Sequence, residues 1–130
     1  MSAIQRIVER LKRHPALKYR VADGTVTVEP IAASGFSVTL TEGTGEWVVS
    51  FDRWHHHCAS EEEATQYFVF GLTDRCRLKV RYRGSFPYCW TVEERTGDGW
   101  QTVSTTALLC CPFWRRMRVE YFHNAVIRTV

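Results

Sequence analysis

No apolar run in this chain approaches the roughly 18 residues that a membrane span requires, and no apolar h-region follows its start. A membrane or secreted protein is therefore not expected. Cys-x-x-Cys, His-x-x-x-His and a glycine-rich phosphate loop are all missing, so the short signatures of metal, redox and nucleotide chemistry are absent. Paired cysteines are missing too. The five cysteines are an odd number, and Cys110 and Cys111 are adjacent, a geometry poorly suited to an ordinary disulfide. Reduced thiols in a cytoplasmic protein are the simpler expectation. The opening MSAIQRIVERLKR is basic and amphipathic, as mitochondrial presequences are, but Glu9 and the lack of a serine-rich tail argue against that address. Strong net charge is also lacking: +3 is low for a dedicated nucleic-acid-binding domain.

What is present is apolar and aromatic. Hydrophobic residues make up 45% and aromatics 13% of 130 residues, which excludes a disordered chain and fits one filled core. Residues 1–130 are expected to form a single domain. A chain of this length buries roughly two thirds of its unfolded surface, so it needs no metal, cofactor or disulfide to fold.

The periodicity changes along the chain. Ile4, Ile7, Val8 and Leu11 recur at helical spacing, Ser2 and Gln5 can form a capping box, and Pro15 bars continuation, which predicts a helix over about 2–14. The period then becomes two. Asp23-Gly24 reads as a hairpin turn that sets Val21 opposite Val26 and Tyr19 opposite Val28, both pairs buried on one side. Phe36, Val38 and Leu40, then Trp47, Val49 and Phe51, extend this into a four-stranded antiparallel meander. Ser60 can cap the amide of Glu63, and Glu61–Glu63 suit the positive end of a second helix, running toward Gly71. Strands follow at about 75–83, 88–95, 100–107 and 114–123. The expected fold is α+β, with two helices and about eight mostly antiparallel strands in the order α-ββββ-α-ββββ, the helices packed on one sheet face.

The sequence WHHHC, residues 54–58, raises the question of a metal. On a strand His55 and His57 share one face, while Trp54, His56 and Cys58 share the other. His55, His57 and Cys58 form a candidate metal set if the chain turns there, with Cys110, Cys111 and His123 as distant further ligands. The competing reading leaves His55 and His57 in solvent and lays Trp54, His56 and Cys58 against the second helix. Phe51 and Trp54 cannot both face the core of one regular strand, so a bulge or strand end near Asp52 and Arg53 is implied. For nucleophilic chemistry, Cys110 and Cys111 stand out, beside Pro112 and close to Arg115 and Arg116.

The stretch RCRLKVRYR carries a second signal. Cys76, Leu78, Val80 and Tyr82 take one face, and Arg75, Arg77, Lys79, Arg81 and Arg83 take the other without interruption. Glu93, Glu94 or Glu120 on neighbouring strands could neutralise this row; otherwise it attracts an anionic partner. Trp90 and Trp100 flank the turn TGDG, and at least one is expected beside the basic face. With no catalytic constellation in view, the leading expectation is a non-catalytic protein-binding or adaptor module. It would use Arg75, Arg77, Lys79, Arg81, Arg83, Trp90 and Trp100 against an acidic protein or a second copy of itself. The alternative is a metal- or thiol-dependent site built from His55–Cys58 and Cys110/Cys111.

Overall fold

The structure is a computed structural model and describes residues 2–127. It is an α+β protein with helices α1 (Ala3–Leu11) and α2 (Glu61–Phe70) and two antiparallel sheets. The first sheet runs in chain order through β1 (Tyr19–Ala22), β2 (Thr25–Val28), β3 (Val38–Gly43), β4 (Glu46–Phe51) and β5 (Trp54–Cys58). The second contains β6 (Cys76–Arg83), β7 (Phe86–Thr96), β8 (Gly99–Ala107) and β9 (Met117–Phe122), ordered β8-β7-β6-β9.

Local chemistry accounts for most boundaries. Ser2 Oγ accepts from the Gln5 amide and Gln5 Oε1 from the Ser2 amide, which completes the capping box. Beyond Leu11 the backbone tightens, with the amides of Arg13 and His14 bonding three residues back, so the helix stops short of the expected residue 14. Asp23 and Gly24 both have positive φ, which fits the twist of a two-residue hairpin, and the register places Val21 against Val26 and Tyr19 against Val28. Val21 nevertheless remains half-exposed, because β1 is the edge strand and the helices pack mainly on β3, β4 and β5.

The expected four-strand meander has a fifth member. Phe51 and Trp54 face one another across a tight turn at Asp52-Arg53, so both are fully buried on the same side. Asp52 adopts φ 53°, and its Oδ1 accepts from both the amide and the hydroxyl of Ser37, which holds the turn in place. The strand end implied by their spacing is thus a hairpin, and WHHHC is its second arm.

Val26, Val28, Val38, Leu40, Val49, Phe51, Trp54 and Cys58 form the inner face of the first sheet, beneath both helices. Gly71 caps α2 with an ordinary helical φ of −61°, so its requirement is space: an added Cβ would lie 2.5 Å from the Phe51 ring. The inner residues Leu78, Val80, Trp90 and Val92 of the second sheet join the same hydrophobic cluster. Trp54 links the two sheets, stacking on Phe51 at 4.7 Å while its indole nitrogen donates to Ser104 Oγ at 2.8 Å. After β9, Asn124 accepts from the Phe36 amide and donates to the Gly71 carbonyl, tying this segment back to the first sheet and α2. No helix among the described residues is long and apolar enough to cross a membrane.

Candidate functional site: the outer face and loop end of the second sheet

Strand alternation places Arg77, Lys79, Arg81 and Arg83 outward on β6, opposite buried Cys76, Leu78 and Val80, while Arg75 falls in the turn just before the strand. Their surroundings divide them. Arg77 lies across from Glu93, its Nε donating to Glu93 Oε1 at 2.6 Å, and its guanidinium is sandwiched 4.2 Å from each of the Trp100 and Tyr121 rings. The Arg77 and Glu93 side chains are only 20% and 11% exposed, so this is a nearly enclosed ion pair roofed by aromatics. His123 stands edge-on to Trp100, and burial together with Arg77 and Arg95 holds its ring below the usual histidine range. Arg75 pairs with Glu94 at 3.1 Å and Arg95 with Asp74 at 3.2 Å. This end of the arginine row is neutralised within the protein.

The opposite end is not. Among the described residues Lys79, Arg81 and Arg83 have no acidic partner, nor have Arg115 and Arg116 on the β8–β9 connection. Arg118 pairs with Glu120 and lies over Tyr82. Arg83 lies 5.7 Å from the Tyr88 ring, and its Nε is shut off from solvent with no acceptor. It is the one such side-chain nitrogen or oxygen among the described residues, and an unmet buried donor costs about 1–3 kcal/mol.

Around these cations the chain exposes apolar side chains. Residues 114–116 were expected to open the last strand, but β9 starts at Met117 and the segment from Leu108 to Arg116 is a loop. Its apolar run LLCCPFW has no alternation to lay on a sheet, and the chain turns at Pro112, whose carbonyl accepts from the Arg115 amide. Leu109 is completely exposed, Phe113 and Trp114 are each 73% exposed, and Phe86, Leu108 and Met117 are also open. The loop is anchored rather than adrift: Leu108 donates to the Tyr88 carbonyl, and the Gly84 amide donates to the Arg116 carbonyl at 2.7 Å. Sequence reasoning found the arginine row but not this apolar loop; the signal was the run LLCCPFW immediately before two arginines.

The two tryptophans assigned to the face separate. Trp90 is buried on the inner side, with Arg53 at 5.8 Å from its ring, whereas Trp100 sits outward against Arg77.

The histidine cluster also divides. His55 and His57 are exposed on the outer face of the first sheet, where His57 bonds Glu46. Cys58 points the other way and is buried, so the set His55, His57 and Cys58 is not brought together. The inner face instead groups His56, Cys58 and Glu63, whose donor atoms lie within 4.8 Å of one another. His56 Nε2 is 3.1 Å from Glu63 Oε1, while Glu63 Oε2 accepts from the Ala59 amide; these bonds hold the Glu63 carboxyl below its usual range. Burial, and then the Glu63 charge, push the Cys58 thiol up to about 11, so it is protonated at neutral pH and a poor nucleophile. Burial likewise raises Cys76. Cys110 and Cys111 lie in the apolar loop and do not join the His56 group.

A cleft of about 260 Å³ lies between α2 and the second sheet, bordered by Gln66, Tyr67, Phe70, Glu94 and Val103. It is smaller than the roughly 300 Å³ at which small-molecule sites begin.

The chain matches no family model, no curated protein and no solved structure.

Proposed function

We propose that this protein is a non-catalytic binding module that docks an acidic protein partner on the loop end of its second sheet. The carrying observation is the exposed group Leu109, Phe113 and Trp114 set among cations that have no acidic partner within the described residues. Aromatic and arginine side chains in one patch are the composition of interface anchors, and the surrounding charge steers an acidic surface toward them. Lys79, Arg81 and Arg83 serve this role directly. Arg75, Arg77 and Trp100 support it from beside, as the neutralised, stacked part of the same face. A second copy of the chain suits the patch less well, because two-fold pairing through this end sets arginines against arginines.

The test is recovery of the tagged protein from its native cells at moderate salt, beside Arg81→Glu/Arg116→Glu and Leu109→Ser/Trp114→Ser variants. A stoichiometric acidic partner present with the parent protein and missing from both variants is expected. The same companions in all three samples would sink the reading.

A second reading rests on the His56, Cys58 and Glu63 group, whose imidazole, thiol and carboxylate donors suit zinc with one position left open. Here metal analysis of untagged protein decides: about one equivalent of zinc, lost with Cys58→Ser, is the expected outcome under this reading. Substoichiometric metal in the parent protein removes it.

A further inference from the structure

The β6–β7 turn and the β8–β9 loop close on one another to form a cleft of about 290 Å³, lined by Arg83, Ser85, Phe86, Pro112, Trp114 and Arg115. Its closure depends on Gly84, whose φ of +62° makes the turn and whose missing side chain leaves room for Arg115: an added Cβ would lie 3.0 Å from Arg115 Cδ. Arg83 and Arg115 therefore line one cleft, with Arg115 packed against the glycine. Neither has an acidic partner among the described residues, and the Nε of Arg83 lacks any acceptor. Phe86, Pro112 and Trp114 supply apolar walls.

We infer that this cleft is the anchor pocket of the docking surface and receives the carboxylate of a partner's Asp or Glu side chain, with an adjacent apolar side chain laid on Phe86 and Trp114. The inference rests on the binding-module reading and names the chemistry its partner must present. Three features select this occupant. The volume suits one side chain and is small for a metabolite. A guanidinium is matched to a planar carboxylate, and the two arginines lining the cleft have no acidic side chain of their own among the described residues. The apolar walls favour a carboxylate carried on a hydrocarbon stem over inorganic phosphate, which keeps more of its hydration.

The experiment titrates the full chain with acetyl-Leu-Glu-Phe-amide and, separately, with its Gln counterpart and with inorganic phosphate. The readouts are the arginine Nε–H and tryptophan indole resonances. The Glu peptide is expected to shift Arg83 Nε–H and the Trp114 indole saturably, with the Gln peptide weaker by about tenfold or more, as loss of a charge-assisted bond implies. Arg83→Lys keeps the charge but not the planar pair of guanidinium N–H donors and should weaken the Glu peptide similarly. Arg115→Gln, on the loop, tests the cleft without depending on β6. Equal binding of the Glu and Gln peptides, indifference to both substitutions, or tighter saturation by phosphate would each overturn the inference. A cellular partner that is lost with Leu109→Ser/Trp114→Ser, while Arg115→Gln retains it and the Glu peptide fails to bind, would leave the binding module standing and remove only the pocket.

Discussion

The two sheets treat their apolar surface in opposite ways. The first sheet places its large apolar side chains under α1 and α2, and its outer face carries Thr25, Thr27, Thr39 and Thr41 in hydroxyl pairs beside His55 and His57. Among the described residues only Val21 and Ile31 are large, apolar and exposed before residue 86. In the second sheet and its β8–β9 loop, Phe86, Val103, Leu108, Leu109, Phe113, Trp114, Met117 and Tyr121 are all open, and they concentrate toward one end. Contiguous apolar exposure has an energetic cost in a soluble monomer and marks contact surfaces, whereas scattered single residues do not. Among the described residues the first sheet buries nearly all its large apolar side chains, whereas the second leaves many of them open.

That contrast can be broken at its hinge. Trp54→Ala removes the buried indole between the sheets and its bond to Ser104, and should cost about 3–5 kcal/mol in denaturant unfolding. A loss below about 1 kcal/mol would mean that the sheets do not share one core. Next in size is the roofed ion pair. Arg77→Met leaves Glu93 enclosed without its cation and should cost about 2–3 kcal/mol, below the full range for buried pairs because part of the arginine is solvated. Arg77→Met combined with Glu93→Met should recover most of that loss, measured as a double-mutant cycle; simple additivity would refute the pairing.

A smaller effect is set by His123. Its depressed folded pKa means that the unfolded chain binds the proton more readily. Stability on this account is fully present above the ordinary value of 6.5 and declines as pH falls from there toward the folded pKa. His123→Asn should flatten that part of the melting-temperature profile between about pH 7.5 and 5. An unchanged slope would show that other groups produce it. The smallest effect belongs to the loop: Leu109→Ser should change stability by no more than about 0.5 kcal/mol, because the leucine side chain touches little of the fold. Appreciable destabilisation there would turn the exposed patch from a contact surface into part of the architecture.

Much of the fold was legible because local chemistry and burial agree. The Ser2 capping box, the Ser60 cap and the Asp23-Gly24 turn each carry a short-range signal, and alternation marks β3, β4 and β6. What escaped depended on partners distant in sequence. Asp52-Arg53 is not a glycine or asparagine turn and works because Ser37 holds Asp52, so β5 could not be distinguished from the end of β4. Glu93 and Glu94 were visible as acids that could neutralise the basic row, yet only the register sets Glu93 against Arg77, and Glu94, opposite Cys76, reaches Arg75 from the strand's start, which leaves Lys79, Arg81 and Arg83 open. The same limit holds for the histidines. Alternation placed His56 and Cys58 together against α2, but the Glu63 contact depends on how that helix docks.

Asn124 bears on the order in which the molecule assembles. Its amide bridges Phe36 and Gly71, residues 88 and 53 positions away, and the neighbouring Val126 and Ile127 amides bond the Leu72 carbonyl. Bonds of such sequence separation reward the chain only after the intervening loops have been closed, whereas each hairpin from β1 to β5 can register locally. The segment following β9 thus fastens the end of the second sheet to the entry of β3 and the end of α2, contacts whose closure entropy is high. Folding rates, more than equilibrium stability, should respond to the distance along the chain between Asn124 and the groups it holds.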